Sequence, residues 1–275
     1  MQLLKEMEAL AARGVAGLNS EAAGELISAI LRCQHRDGGF CGLDGEPDIY
    51  YSLFARLSLN VLGAEYDRQG LIRWLKAARK TAPGVDRVCA ELILLQEGER
   101  SKVAAFMFLF RSLFRVGAVD SYKLFLTAFL MEQLLPIKLS ATLIKRAAVA
   151  TLKQRAHTDF NSLGTPRAAV CALLAHRIGD QKMQQRMAEL LRQRHLSSGG
   201  YGSAAGARAD LLSTAVVLFA TRFSGQSVDV SANDRAFIEL CWQDDALFSA
   251  APDQASGDLE HTFYALLALG CTRTA

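Results

Sequence analysis

Asp210 and His261 are the residues whose types and placement come nearest to a reactive centre. Each opens an apolar helical stretch after a glycine-containing loop. Aspartate and histidine are both metal-ligand types, but two protein ligands make a poor zinc site without water or a further residue such as Cys41 to complete it. An aspartate at that place also serves as a plain N-cap, accepting from an amide of the first turn. A second set is aromatic: Tyr50, Tyr51, Phe54, Tyr122, Phe125, Phe263 and Tyr264 fall near the starts of apolar helices. They suit either the lining of an apolar pocket or ordinary core. Arg111 and Arg115, four apart on an apolar helix, suit an anion site or snorkelling to the surface. Lys76, Arg79 and Lys80 read as a solvated basic face.

The elements that must position these groups form a repeat. Residues 30–63, ILRCQHRDGGFCGLDGEPDIYYSLFARLSLNVLG, contain a helix end, a glycine-rich turn plugged by Phe40, and an apolar helix opened by Asp48. Residues 199–225 repeat the pattern with Asp210, and residues 241–270 repeat it with Phe248 and Asp258. Matching the glutamines pairs Cys33–Gln34 with Trp242–Gln243, and Tyr51 with His261. Asp48, Asp86, Asp120, Thr165, Asp210 and Asp258 are spaced 34 to 48 residues apart. Helical periodicity covers the chain, without convincing strand alternation. After an N-terminal helix within residues 1–18, six pairs follow: 19–34 with 48–63, 66–81 with 85–97, 99–116 with 120–135, 138–155 with 165–178, 180–194 with 209–223, and 232–243 with 258–270. In most pairs the first helix has one charged face and the second is apolar all round, which separates an outer from an inner layer. The last unit is among the most apolar, whereas an open solenoid needs polar end caps. An all-α fold follows, an α/α6 toroid with six outer–inner helix pairs around a central cavity, in one domain spanning 1–275.

Composition narrows the class. Of 275 residues, 51% are hydrophobic and only five are proline, so a large core without a Pro-rich linker is expected. A net charge of +3, with acids and bases interleaved, excludes the concentrated basic stripe of a nucleic-acid binder. MQLLKEMEALAARG is amphipathic rather than a signal peptide. The most apolar run, residues 103–117, is too short to span a bilayer. The six dispersed cysteines form no CxxC pair and read as reduced core thiols, which implies a cytoplasmic protein.

The unit CQ…DGGF.G…D..Y..LFA…L..LG resembles the repeat of protein prenyltransferase β subunits and squalene–hopene-type cyclases over residues 20–270. The resemblance implies a toroid that binds an isoprenoid or other apolar ligand in an aromatic-lined cavity and acts as a prenyltransferase or cyclase. It also implies a helical partner subunit; a homodimer is the other expected assembly. A non-catalytic toroid that serves as a binding or partner subunit is the alternative. Carried over residue by residue, the catalytic zinc of the β subunits would fall on Asp210 and His261, with Leu212 where the family's cysteine thiolate stands. Leucine cannot ligate a metal. The diphosphate-binding histidine falls near Thr165, and the loop lysine and arginine fall near Ala207 and Ala204, which leaves Arg208 as the cation of that loop. The Asp-x-Asp-Asp acid of the cyclases is absent; Asp244–Asp245 is a pair only.

Overall fold

The computed structural model describes residues 3–114, 121–135, 142, 162–225 and 231–273. Of the expected outer helix at 138–155 residue 142 alone is described; Asp120 and Arg115 lie outside these residues, as do the side chains of Arg111 and Tyr122.

Twelve helices are present among the described residues, and local chemistry sets most of their starts. The amphipathic α1 (Leu3–Val15) is followed by α2 (Ser20–Arg32), capped by Asn19, and by α3 (Ile49–Leu62), capped by Asp48. Gly63 ends α3 in the left-handed region, with φ 68°, a conformation glycine adopts without a Cβ clash. Asp67 caps α4 (Arg68–Ala78), Pro83 precedes α5 (Gly84–Gln96), and α6 (Lys102–Phe114) and α7 (Ser121–Leu134) complete the first half. The second half comprises α8 (Thr165–Ile178), α9 (Gln181–Arg192) capped by Asp180, and α10 (Leu211–Phe223) capped by Asp210. It ends with α11 (Ala232–Leu240), which carries a Ser231–Asp234 capping box, and α12 (Leu259–Thr272), capped by Asp258. A two-residue hairpin, β1 (Tyr201–Gly202) against β2 (Ala209–Asp210), tightens the loop before α10.

The inner helices close a ring in the order α3, α5, α7, α8, α10, α12 and back to α3. Their composition explains the placement: α3 is buried from Ser52 through Leu59, and α10 buries all but two of its residues. Apolar on every side, these helices are stable only when enclosed. Helices α2, α4, α6 and α11 pack outside α3, α5, α7 and α12, and α9 lies along α8. Buried carboxylates fasten part of the outer layer. Glu91 is fully buried and takes Arg79, Arg87 and Arg100, so Arg79 turns inward rather than joining a solvated face. Lys76 does stay exposed, paired with Glu99.

The N-terminal helix is not a peripheral addition. It packs along α12 and also reaches α3 and α7, and α7 and α12 are opposite members of the ring. At one end the Leu3 amide donates to Glu132 of α7 at 2.6 Å, a carboxylate also held by Arg177 of α8 at 2.6 Å. At the other end backbones meet: a Cβ on Gly14 would lie 2.0 Å from the Leu266 carbonyl oxygen, and one on Gly270 would lie 1.7 Å from that of Leu10. Only glycine permits this approach. Since Glu132, Arg177 and Gly270 all sit in the last turns of inner helices, α1 crosses the ring where those helices end. Leu3, Leu4, Met7, Leu10 and Ala11 are buried there.

Candidate functional site

The opposite end, where the inner helices begin, collects the repeat loops and the residues expected to do chemistry. Three loops share one set of hydrogen bonds. The capping carboxylates Asp48, Asp210 and Asp258 accept from the amides of Tyr51, Ser213 and His261 at 2.9, 2.8 and 2.9 Å. One residue further on, Ser52, Thr214 and Thr262 accept the amides of the loop aromatics Phe40, Tyr201 and Phe248 at 2.9, 2.9 and 3.1 Å. Each aromatic plug is thus pinned to the first turn of the helix that follows. Tyr51 and His261 occupy equivalent places, as expected from the repeat. The turn register, however, is one residue off the glutamine-matched alignment. The Cys41 amide bonds the Cys33 carbonyl and the Ser249 amide bonds that of Cys241. Cys33 therefore matches Cys241, and Gln34 matches Trp242.

The aromatic residues assemble between α3 and α12. Phe54 lies 4.9 Å from Tyr50, 5.8 Å from Phe263 and 5.3 Å from Tyr264, centroid to centroid. The Tyr50 hydroxyl donates to Glu260 at 2.5 Å. Phe54, Phe263 and Tyr264 are buried, and Tyr50 and Tyr51 are partly exposed at the mouth. Between α7, α8, α10 and α12 lies a small apolar axial cavity of about 40 Å³, lined by Phe125, Pro166, Arg167, Val170, Leu212, Val216 and Tyr264. Of the residues expected to line it, Phe125 and Tyr264 do so. Arg208 stands on the outside of its loop, its side chain 88% exposed and paired with Asp253 at 2.8 Å. Val170, Leu212 and Val216 were missed as lining because an aliphatic residue on an apolar helix carries no chemical signal, although Pro166–Val170 and Leu212–Val216 each recur at one-turn spacing.

Carboxylates dominate the mouth electrostatics. Burial raises Asp210, opposed by its bonds to Ser213 and by nearby His261. Burial also raises Glu260, opposed by Tyr50 and His261. Burial pulls His261 down, but its bond to Asp258 and the charges of Asp258, Glu260 and Asp210 outweigh this and leave it raised. Tyr51 is pushed up to about 12 by burial and by Asp258, Glu260, Asp48 and Asp44. Thr165, where the resemblance places a diphosphate ligand, is buried, with its hydroxyl donated to the Gly202 carbonyl.

Among the described residues Asp210 and His261 offer two of the three protein ligands that a catalytic zinc takes. Asp210 spends Oδ1 on its cap, and its buried Oδ2 has no hydrogen-bond partner among the described residues. His261 gives Nδ1 to Asp258 at 2.6 Å, which leaves Nε2 as the nitrogen a metal would take, but Leu212 faces the apolar cavity and cannot ligate. Among the described residues no group of three or more His, Cys, Asp or Glu side chains is arranged to hold a metal.

The family model of the prenyltransferase alpha-alpha toroid domain matches residues 3–112 and 167–274, most of the chain. The chain belongs to the prenyltransferase α/α toroid family. No curated protein sequence matches it. The family match agrees with the closed ring of inner helices. No described helix is long and apolar enough to cross a membrane, and four of the six cysteines are buried.

Proposed function

We propose that this prenyltransferase-family toroid is a binding or partner subunit that does not displace a diphosphate by zinc chemistry. The observation that carries the reading is the axial cavity between α7, α8, α10 and α12: about 40 Å³ and apolar, whereas a site for a drug-sized ligand has some 300 Å³ or more. The mouth above it supports the same reading. A departing diphosphate requires fixed positive charge, but Asp48, Asp210, Asp258 and Glu260 gather there and Arg208 points away, paired with Asp253. Val103, Phe106 and Met107, exposed on α6, are the apolar area a helical partner or a second copy would cover.

A second reading keeps an uncharged isoprenoid or similar apolar group as ligand. It is favoured by the Phe125, Val170, Val216 and Tyr264 lining and by the raised carboxyl groups, which stay neutral at higher pH than an ordinary carboxylate. Calorimetric titration of the full chain with a prenyl diphosphate, with and without added zinc, tests the first reading. No saturable binding is expected, and binding followed by turnover would overturn it. Saturable binding of the corresponding prenyl alcohol, lost on Val216→Trp, would instead support the second reading.

A further inference from the structure

A second apolar hollow, open on one side, is not axial. It lies at the seam where the sixth repeat meets the start of the ring, has a volume of about 200 Å³, and is walled by Leu18, Trp242, Phe248 and Leu269. The repeat explains why space remains there. In the first repeat Gln34 ties its loop to the next outer helix: Nε2 donates to the Asp67 carbonyl at 2.9 Å and Oε1 accepts the Asp67 amide at 3.1 Å. In the fifth, His195 Nε2 shares a hydrogen bond with Asp234 of α11 at 2.7 Å. Trp242 holds the equivalent place in the sixth repeat and offers no such double bond. The hydrogen bond described between that loop and α2 runs from Arg32 Nη2 to the Asp245 carbonyl at 3.2 Å. Glycine and alanine at 14, 17 and 22 keep the opposite wall low.

Charge on the rim narrows what fits. Arg235, Glu239 and Arg273 border the hollow. Arg235 is paired with Glu239 at 2.8 Å, so Arg273 is the net cation. Its guanidinium lies over Gly17, where a Cβ would come within 2.2 Å of Nη1. An apolar cavity of about 150 Å³ holds a benzene ring, so this one holds a chain or ring of about eight carbons. We propose that the seam is a binding site for an apolar monocarboxylate of medium chain length, with its tail against Trp242 and Leu18 and its head on Arg273. This site is separate from the axial cavity and uses none of its residues.

The test is calorimetric titration of the full chain with octanoate, and with octylamine as the cation of matched length. Saturable one-to-one binding of octanoate is expected, with quenching or enhancement of tryptophan emission and no binding of octylamine. Arg273→Gln should weaken octanoate about tenfold through the lost charge-assisted bond, and Ala22→Phe, which fills the hollow, should abolish binding. Absence of saturable octanoate binding, equal binding of octylamine, or wild-type affinity in either variant would overturn the assignment. The octanoate–octylamine contrast needs only the unaltered chain and so stands if a variant fails to fold.

Discussion

The fifth and sixth repeat loops are built on the same turn but differ in what lies against them. In the fifth, Gly199 has φ 96°, and a Cβ there would sit 2.0 Å from the Asn233 carbonyl oxygen, so the loop presses directly on the first turn of α11. His195 and Asp234 then lock the contact. In the sixth, the equivalent position is Ala246 at φ 61°, which alone among described non-glycine residues has a positive φ. Alanine is tolerated because α2 does not press on that turn; the cost is backbone strain instead of collision. The difference teaches that the glycines of this repeat serve contact between successive units as much as turn geometry, and that ring closure is the least tightly made of these joints.

That comparison can be broken at the strongest latch first. Asp234 is fully buried and accepts from the Gly200 amide at 2.8 Å, from Ser231 at 2.8 and 2.9 Å, and shares a bond with His195. Asp234→Ala should cost about 3 kcal/mol in urea unfolding, since it strands several buried donors at once. An unchanged midpoint would show that the latch contributes nothing. Although burial works against ionisation, those bonds hold the Asp234 carboxyl below its ordinary value of 3.8. With a depressed folded value, its contribution is present above pH 3.8 and is lost as pH falls through the folded value. Melting temperatures between pH 2 and 5 should therefore fall more steeply for the natural chain than for Asp234→Asn.

The first-repeat latch is weaker, being neutral and partly exposed. Gln34→Ala should destabilise by about 1–2 kcal/mol, and a loss equal to that of Asp234→Ala would erase the ranking. The smallest effect is expected at the seam: Ala246→Gly relieves the positive φ and should raise stability by up to about 1 kcal/mol. Destabilisation by that change would show that the alanine methyl packs against something the seam needs.

Much of this was legible in the sequence, for physical reasons that also explain the failures. Asp48, Asp210 and Asp258 announce their helices because an aspartate before an apolar run has one efficient use, and the structure puts each to it. Uniformly apolar second helices announce an enclosed layer. The repeat register slipped because Gln34 and Gln243 share a letter but not a hydrogen bond, whereas Cys33 and Cys241 share the bond. The apolar stripe of α1 was visible, yet its destination depends on Gly14 and Gly270 coming together from distant parts of the sequence, and no local pattern encodes that. Asp258 beside His261 could have been read from their three-residue spacing on one helix.

The crossing of the ring by α1 sets an order of events during synthesis. Leu3–Val15 leaves the ribosome well before Leu259–Thr272, which completes its main groove. Contacts this distant in sequence form late and slow the search for the native state. Until then Leu3, Leu4, Met7 and Leu10 form an uncovered apolar stripe, the kind of surface that chaperones hold and that aggregates when they do not. A helix made early is thus among the last to find its place.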